Sequence, residues 1–263
     1  MSVFAISERY HHGDGLLYRA DPRVKILIAV LFAFAVTTVP EGNWSAYAGF
    51  GAMAALAIVL SKLPPLLVLR RALLALPFVA AAIPLIFTRE GDTILTVPIV
   101  GWTASAEGLT AVVSIILKSW LSVLLAVVLT STTQPIDLIR GLERLRVPRV
   151  LAATIFFMYR YLYVIGGEGQ RMMRARDSRS AAAPDGSTTG GTVGWRARVL
   201  GNMVGSLFLR SFERSERIHA AMQARGYDGT IRFANERAML RADWLLLAGA
   251  LTMLGGLILY ARL

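Results

Sequence analysis

The chain has 263 residues, 55% hydrophobic and 17% charged, with 28 Lys plus Arg against 17 Asp plus Glu and a net charge of +11. A mean hydropathy of +0.55 excludes a disordered or acidic solvating chain, and it is far from a soluble domain, in which about a quarter of residues are charged. Cysteine is absent, which removes disulfide frameworks, thiolate metal sites and thiol nucleophiles.

The first twenty residues lack the apolar run and small-residue cleavage site of a secretory signal, so the amino terminus is expected to be retained. They hold the only metal-like cluster, His11, His12 and Asp14. Adjacent residues point in different directions on any regular element, and this trio reads as structural or solvated.

A membrane span needs about 20 apolar residues to cross roughly 30 Å of hydrocarbon. Five stretches approach this: Val24 to Val39, Trp44 to Leu60, Ala72 to Thr88, Leu109 to Thr130 and Trp244 to Tyr260. Pro40 to Asn43 makes a tight turn, and Leu63-Pro64-Pro65 separates the second and third stretches. Between the third and fourth, Thr93 to Trp102 alternates weakly around Pro98 and reads as a short hairpin. Arg19 and Arg23 precede the first stretch and Lys25 lies at its start, and Lys62, Arg70 and Arg71 follow the second. By the excess of Lys and Arg in cytoplasmic loops, the amino terminus lies inside and the carboxyl terminus outside.

The segment from Gln134 to Ala242 carries 18 Arg and no Lys against 9 Asp plus Glu. Arginines flank both ends of the apolar stretch Val150 to Ile165, so that stretch is expected to return to the side it came from. The fold expected is therefore an all-α integral membrane protein. About four spans lie in residues 1–133, a cytoplasm-facing domain of long amphipathic helices in 134–242, and a last transmembrane helix in 243–263. A glycine-rich link, Ala181 to Gly191, interrupts the middle domain.

After the link, Arg196 to Ala224 keeps a helical period. Val199, Met203 and Leu207 with Leu200, Val204, Phe208 and Phe212 are expected to form one apolar stripe, and Gly201 with Gly205 a notch pressed against another helix of the same domain. The competing reading is an amphipathic helix lying on anionic lipid. Lys118, mid-span, is open to two readings: a functional intramembrane charge, or an ammonium that snorkels or pairs with a carbonyl inside the bundle.

No Gly-x-x-x-x-Gly-Lys-Ser/Thr loop is present, so ATP-driven work must borrow its ATPase from another chain. No His-Glu-x-x-His and no Gly-x-Ser-x-Gly occurs, and no metal set is expected on this chain. Two arginine motifs stand out, Arg171 to Arg179 and Ala221 to Tyr227, each with a small residue before an Arg where a helix is expected to stop. Gly226 can take the left-handed conformation that closes a helix. For any single Arg the simpler reading is a charge complementing the helix dipole.

These residues resemble a known family, the transmembrane T component of energy-coupling factor transporters, most closely its cobalt-transport branch, CbiQ. The likeness rests on Asp21-Pro22-Arg23-Val24-Lys25, on Met158-Tyr159-Arg160-Tyr161-Leu162 followed by Glu168, and on the run Ser211 to Tyr227. What it implies is a non-enzymatic, multi-pass subunit of the bacterial inner membrane with its amino terminus in the cytoplasm. Such a subunit joins two cytoplasmic ATPase subunits to a membrane-embedded substrate-capture subunit of cobalt type. This chain would bind no cofactor, ATP and Mg being held by the ATPases, and no nucleic acid is expected. The resemblance also implies that two Ala-Arg-X motifs dock the ATPases. Ala224-Arg225-Gly226 fits the pattern, and Ala175-Arg176-Asp177 departs from it at Asp177, leaving Arg174 and Arg179 as competitors. The alternatives are a vitamin-specific T component and a pathway-forming permease of a conventional ATP-driven transporter. The latter resembles Glu-Ala-Ala-x-x-x-Gly, and Ala220 to Gly226 lacks its Glu. A secondary transporter should show polar or ionisable residues in broken mid-membrane helices and internal symmetry, and apart from Lys118 the spans show neither.

Overall fold

The computed structural model describes residues 15–73, 81–89, 92–97, 102–179, 192–229 and 239–262. In chain order these form α1 (Leu16–Arg19), α2 (Pro22–Thr37), α3 (Trp44–Ser61), α4 (Pro65–Ala72), α5 (Leu85–Thr88), β1 (Thr93–Val97), β2 (Trp102–Ser105), α6 (Ala106–Thr132), α7 (Pro135–Arg144), α8 (Arg149–Arg179), α9 (Val193–Ala224) and α10 (Arg241–Arg262). They divide into two compact units, one holding α1 to α7 with α10, the other α8 and α9. The all-α character expected from sequence holds, with one antiparallel hairpin in which Val97 pairs with Trp102. The His11, His12 and Asp14 cluster lies outside the described residues.

Helix starts in the first unit follow local chemistry. Asp21 accepts the Arg23 amide at 2.9 Å with Pro22 at the first helical position, which suits proline because that N–H has no intrahelical partner. Asn43 caps α3 by accepting the Ala46 amide at 3.2 Å, and Ser105 caps α6 by accepting the Gly108 amide at 3.0 Å. Helix α3 ends with Lys62 in the left-handed region at φ 52°, ahead of Pro64 and Pro65.

The core of this unit packs Phe32 and Val36 of α2 against Phe50 of α3, with Leu121 and Leu125 of α6 and Leu254 of α10. Phe32 and Phe50 meet edge to face at 5.6 Å. A second cluster sets Val68 and Ala72 of α4 against Leu124 and Val128 of α6. Phe32 is fully buried while Phe34, on the other side of the same helix, is 68% exposed. Lipid tails solvate such a face without penalty, so each helix here needs only one packed side.

Polar ties fix helix direction. The Lys118 ammonium reaches the Thr37 carbonyl at 3.3 Å, and the buried Lys25 reaches the Thr132 carbonyl and Thr133 hydroxyl, each at 3.3 Å. Helix α6 therefore runs antiparallel to α2, and each ammonium complements the carbonyl end of the other helix. Asn43 donates to the Ala261 carbonyl at 3.2 Å, which sets the end of α10 beside the start of α3. One end of the bundle thus collects Lys25, Arg71 bonded to Ser131 at 2.9 Å, and Arg140. At the other end Arg89 pairs with Glu41.

Two expectations change. The stretch Ala72 to Thr88 is not one continuous span: α4 stops at Ala72, residues 74–80 lie outside the described set, and a turn at Ile83-Pro84 precedes the four-residue α5. Proline has no N–H to bond one turn back, and its ring crowds that carbonyl. Four described helices are long and apolar enough to cross a membrane, namely α3, α6, α8 and α10. The first expected span is α2, with 16 residues, about 24 Å at 1.5 Å per residue. The first bundle, expected to end at residue 133, runs on to Leu145, because the bare Gly141 backbone seats α7 on Ile26 and Pro22.

In the second unit, α8 and α9 have 31 and 32 residues, each a rod of about 45 to 48 Å. Thr192 caps α9 by accepting the Trp195 amide at 3.3 Å. The face of α9 towards α8 is Val199, Met203, Leu207, Ser211, Ile218 and Met222, all half-buried. Leu200, Val204, Phe208 and Phe212 are exposed, so the single stripe expected from sequence is two rows. Neighbouring residues stand about 100° apart around a helix, and one partner helix covers one row only. Gly201 and Gly205 have nothing within 4 Å. They form no notch against a described helix of this unit, and the glycine that does face the partner is Gly169 of α8, opposite Leu207.

Candidate coupling site

The end of α9 is closed by residues 222–227. The Gly226 amide donates to the Gln223 carbonyl at 2.9 Å and the Tyr227 amide to the Met222 carbonyl at 3.0 Å, the paired closure that satisfies carbonyls at a helix terminus. Gly226 sits at φ +78°, where a Cβ would crowd the backbone. Ala224 is the last helical residue, and Arg225 occupies the cap position, exposed, with no ion pair to any described residue. The closure expected at Gly226 is thus present, and it leaves Arg225 at the helix tip.

The other motif is placed differently. Ala175, Arg176 and Asp177 lie inside α8, which continues to Arg179. Arg176 is half-buried and donates from Nε and Nη2 to Asp177 Oδ1, at 3.0 and 2.6 Å. With Arg179 it lines a cleft of about 570 Å³, whose opposite wall carries Trp195, Met203 and Arg210 of α9. Arg174 is exposed and does not line that cleft. Of the three candidates on α8, Arg176 is therefore tied to its neighbour, Arg179 ends the helix, and Arg174 points elsewhere.

Two residues that sequence reasoning did not bring together join the helices. Glu168 accepts from Arg171 of its own helix at Oε2 and from Arg210 of α9 at Oε1, the latter at 3.1 Å. The available signal was a lone carboxylate between Ile165 and Arg171. Nothing in the local pattern pointed to residue 210. Beyond this crossing a second, more apolar cleft of about 270 Å³ opens between Phe157 and Tyr161 of α8 and Arg214, Ile218 and Met222 of α9.

Lys118 lies in the first unit, on the Thr37 carbonyl, and belongs to neither cleft. Among the described residues no group of three His, Asp or Glu is placed to hold a metal ion.

Fold and site together define a helical integral-membrane protein with a basic two-helix unit that presents an uncommitted arginine at a helix tip. Residues 14–235 match the family model of CbiQ, described as cobalt transport protein, and the chain belongs to this family of transmembrane T components of energy-coupling factor transporters. It is 30% identical to the energy-coupling factor transporter transmembrane protein EcfT of Brevibacillus brevis, across 85% of this chain and 84% of the relative. Identity to the EcfT of Listeria innocua is 27% across 97% of both chains. An uncharacterized protein of Methanocaldococcus jannaschii, MJ1571, is 27% identical across 97% of this chain and 86% of its own. Transport and a membrane location follow from this membership and from the apolar helices.

Proposed function

We propose that this chain is the non-catalytic scaffold of an importer, linking two cytoplasmic ATPase subunits to a membrane-embedded capture subunit and converting ATPase movement into movement of its own helices. The observation that carries this reading is Arg225, held at the tip of a 32-residue helix by the closure at Gly226 and free of described carboxylates. A guanidinium suits such a contact because its planar fork bonds a carboxylate or carbonyl groove in two places and stays charged when partly desolvated. Arg176 supplies the second contact, with Arg174 and Arg179 as its competitors, and docking there requires a partner group that outcompetes Asp177. ATP and Mg belong to the ATPases, since this chain has no phosphate loop. An amino terminus in the cytoplasm of a bacterial inner membrane completes this reading, and it is supported by the positive charge of Lys25, Arg71 and Arg140 at one end of the first unit.

The cargo is cobalt or nickel, a reading supported by the cobalt-transport description of the matching family. The ion is held by the capture subunit. The relatives' names specify no metal, which favours as second reading a T component serving a vitamin-binding capture subunit. The membrane protein that co-purifies with this chain decides between them.

The test is metal uptake by cells expressing the complete transporter, paired with ATPase co-purification on tagged variants. Truncating one partner of a desolvated interfacial pair costs about 2 to 5 kcal/mol, against well under 1 for a solvated rim charge. The double variant Arg225→Ala with Arg176→Ala should lose uptake while still inserting and accumulating, and Arg225→Lys should rescue little. Near-normal uptake at matched abundance would show that these arginines are ordinary helix-end charges.

A further inference from the structure

Helices α8 and α9 leave clefts on both sides of the point where Gly169 faces Leu207. There a Cβ on the glycine would sit 3.8 Å from Leu207 Cδ2. On one side the arms of Arg171 to Arg179 and Trp195 to Met203 enclose the 570 Å³ cleft, and on the other Phe157 to Ile165 and Arg214 to Met222 enclose the 270 Å³ cleft. No residue of α9 is fully buried. Apolar contact is non-directional and here sparse, so it sets the crossing angle only weakly.

What is directional at the crossing is Glu168. Its side chain is 19% exposed, each carboxylate oxygen accepts from a different arginine, and Arg210, 42 residues away, is the donor on the other helix. This ion pair joins α8 to α9, whereas Arg217 pairs with Glu213 along α9 itself. An exposed ion pair adds little to stability, but a charge-assisted hydrogen bond is geometrically selective, and at a pivot geometry is the quantity that matters. From Arg210 to Arg225 is 15 residues, about 22 Å of helix, so a 10° change at the crossing moves the Arg225 tip about 4 Å. That displacement equals the reach of an ion pair.

We propose that Glu168 is a positioning residue: by holding Arg210 beside Arg171 it sets the crossing angle of α8 and α9, so that the two arginine-bearing arms move as one body. The transport readout below rests on the coupling role proposed above, whereas the distance readout does not.

The chain contains no cysteine, so Val150→Cys and Gln223→Cys, both at exposed positions of facing arms, allow spin labels to be placed without removing a native thiol. Pulsed electron paramagnetic resonance on the full purified chain should give a narrow distance distribution. Glu168→Arg puts three guanidinium groups together and should broaden or shift that distribution by several ångström, with Glu168→Gln doing so less. Combining Glu168→Arg with Arg210→Glu places the carboxylate on α9, where it meets the guanidinium now carried by α8 at position 168 together with Arg171, and should restore the distribution. In the complete transporter the Glu168→Arg variant should lose about threefold to tenfold in uptake at matched membrane abundance, again restored by the charge exchange. Unchanged distances in Glu168→Arg, or failure of the exchanged pair to restore them while it accumulates and elutes normally, would overturn the proposal. Distances that respond as expected in a chain that captures no ATPase would sink the coupling role and leave the pivot standing.

Discussion

The backbone N–H of Asp21 donates to Oδ1 of Asp243 at 2.9 Å, joining positions 222 residues apart and tying the start of the first apolar helix to the start of the last. The other oxygen of Asp243 accepts the Leu240 amide at 2.9 Å. Helices α2 and α10 thus begin at the same end of the bundle.

Asp243→Ala should destabilise the bundle, because it strands two backbone donors at a site where the carboxylate is buried. Each buried unsatisfied donor costs about 1 to 3 kcal/mol. The apparent Tm in detergent should fall by about 5 °C or more, and Asp243→Asn, which keeps one acceptor oxygen, should lie between. An unchanged Tm for Asp243→Ala would show that water or another group takes over both amides.

Two glycines separate internal packing from an outward face. At Gly49 a Cβ would lie 2.5 Å from Leu257 Cδ2, whereas Gly205 meets nothing within 4 Å. Gly49→Leu should cost about 1 to 3 kcal/mol through overpacking and reduce the yield of monodisperse protein, while Gly205→Leu should purify like the parent. Loss of transport by a well-folded Gly205→Leu chain would assign that face to a partner subunit. Aggregation of Gly205→Leu during purification would contradict the open geometry.

Gly226→Ala addresses the helix tip without touching the arginine. At φ +78° an alanine is strained by about 1 to 2 kcal/mol, enough to unwind the closure. ATPase co-purification should weaken severalfold with membrane abundance unchanged. Full retention would mean that the position of Arg225 does not depend on that closure.

The purified chain by itself should neither hydrolyse ATP nor bind Co²⁺ at micromolar concentration. It lacks a phosphate loop, and its described residues form no ligand cluster. Calorimetry on the parent beside a His11→Ala, His12→Ala double variant decides the second point: micromolar binding that vanishes in the variant would place a metal site on this chain.

Much of the architecture was legible locally. Asp21 ahead of Pro22 marks the start of α2, and Gly226 after a long proline-free period marks the end of α9. These signals concern hydrogen bonds that close within five residues, so neighbours in sequence are sufficient to specify them. The unbroken helical period of Arg196 to Ala224 likewise anticipated the long helix α9. The break at Pro84 was also written in the chain, but the apolar run around it resembled a span more strongly than one proline argued against it.

From sequence alone follow an arginine-rich helical membrane protein, the presence of its long helices and the arginine beside Gly226, because composition and the 3.6-residue period determine them. Only the tertiary structure decided that Val199, Met203 and Leu207 pack while Leu200, Val204 and Phe208 stay exposed, that Lys118 rests on the Thr37 carbonyl, and that Glu168 reaches Arg210. The physical reason is common to the cases that join helices. A helix that is apolar on several sides can be packed through any of them, and the choice depends on where two rods cross, which is set by contacts between residues far apart in the chain.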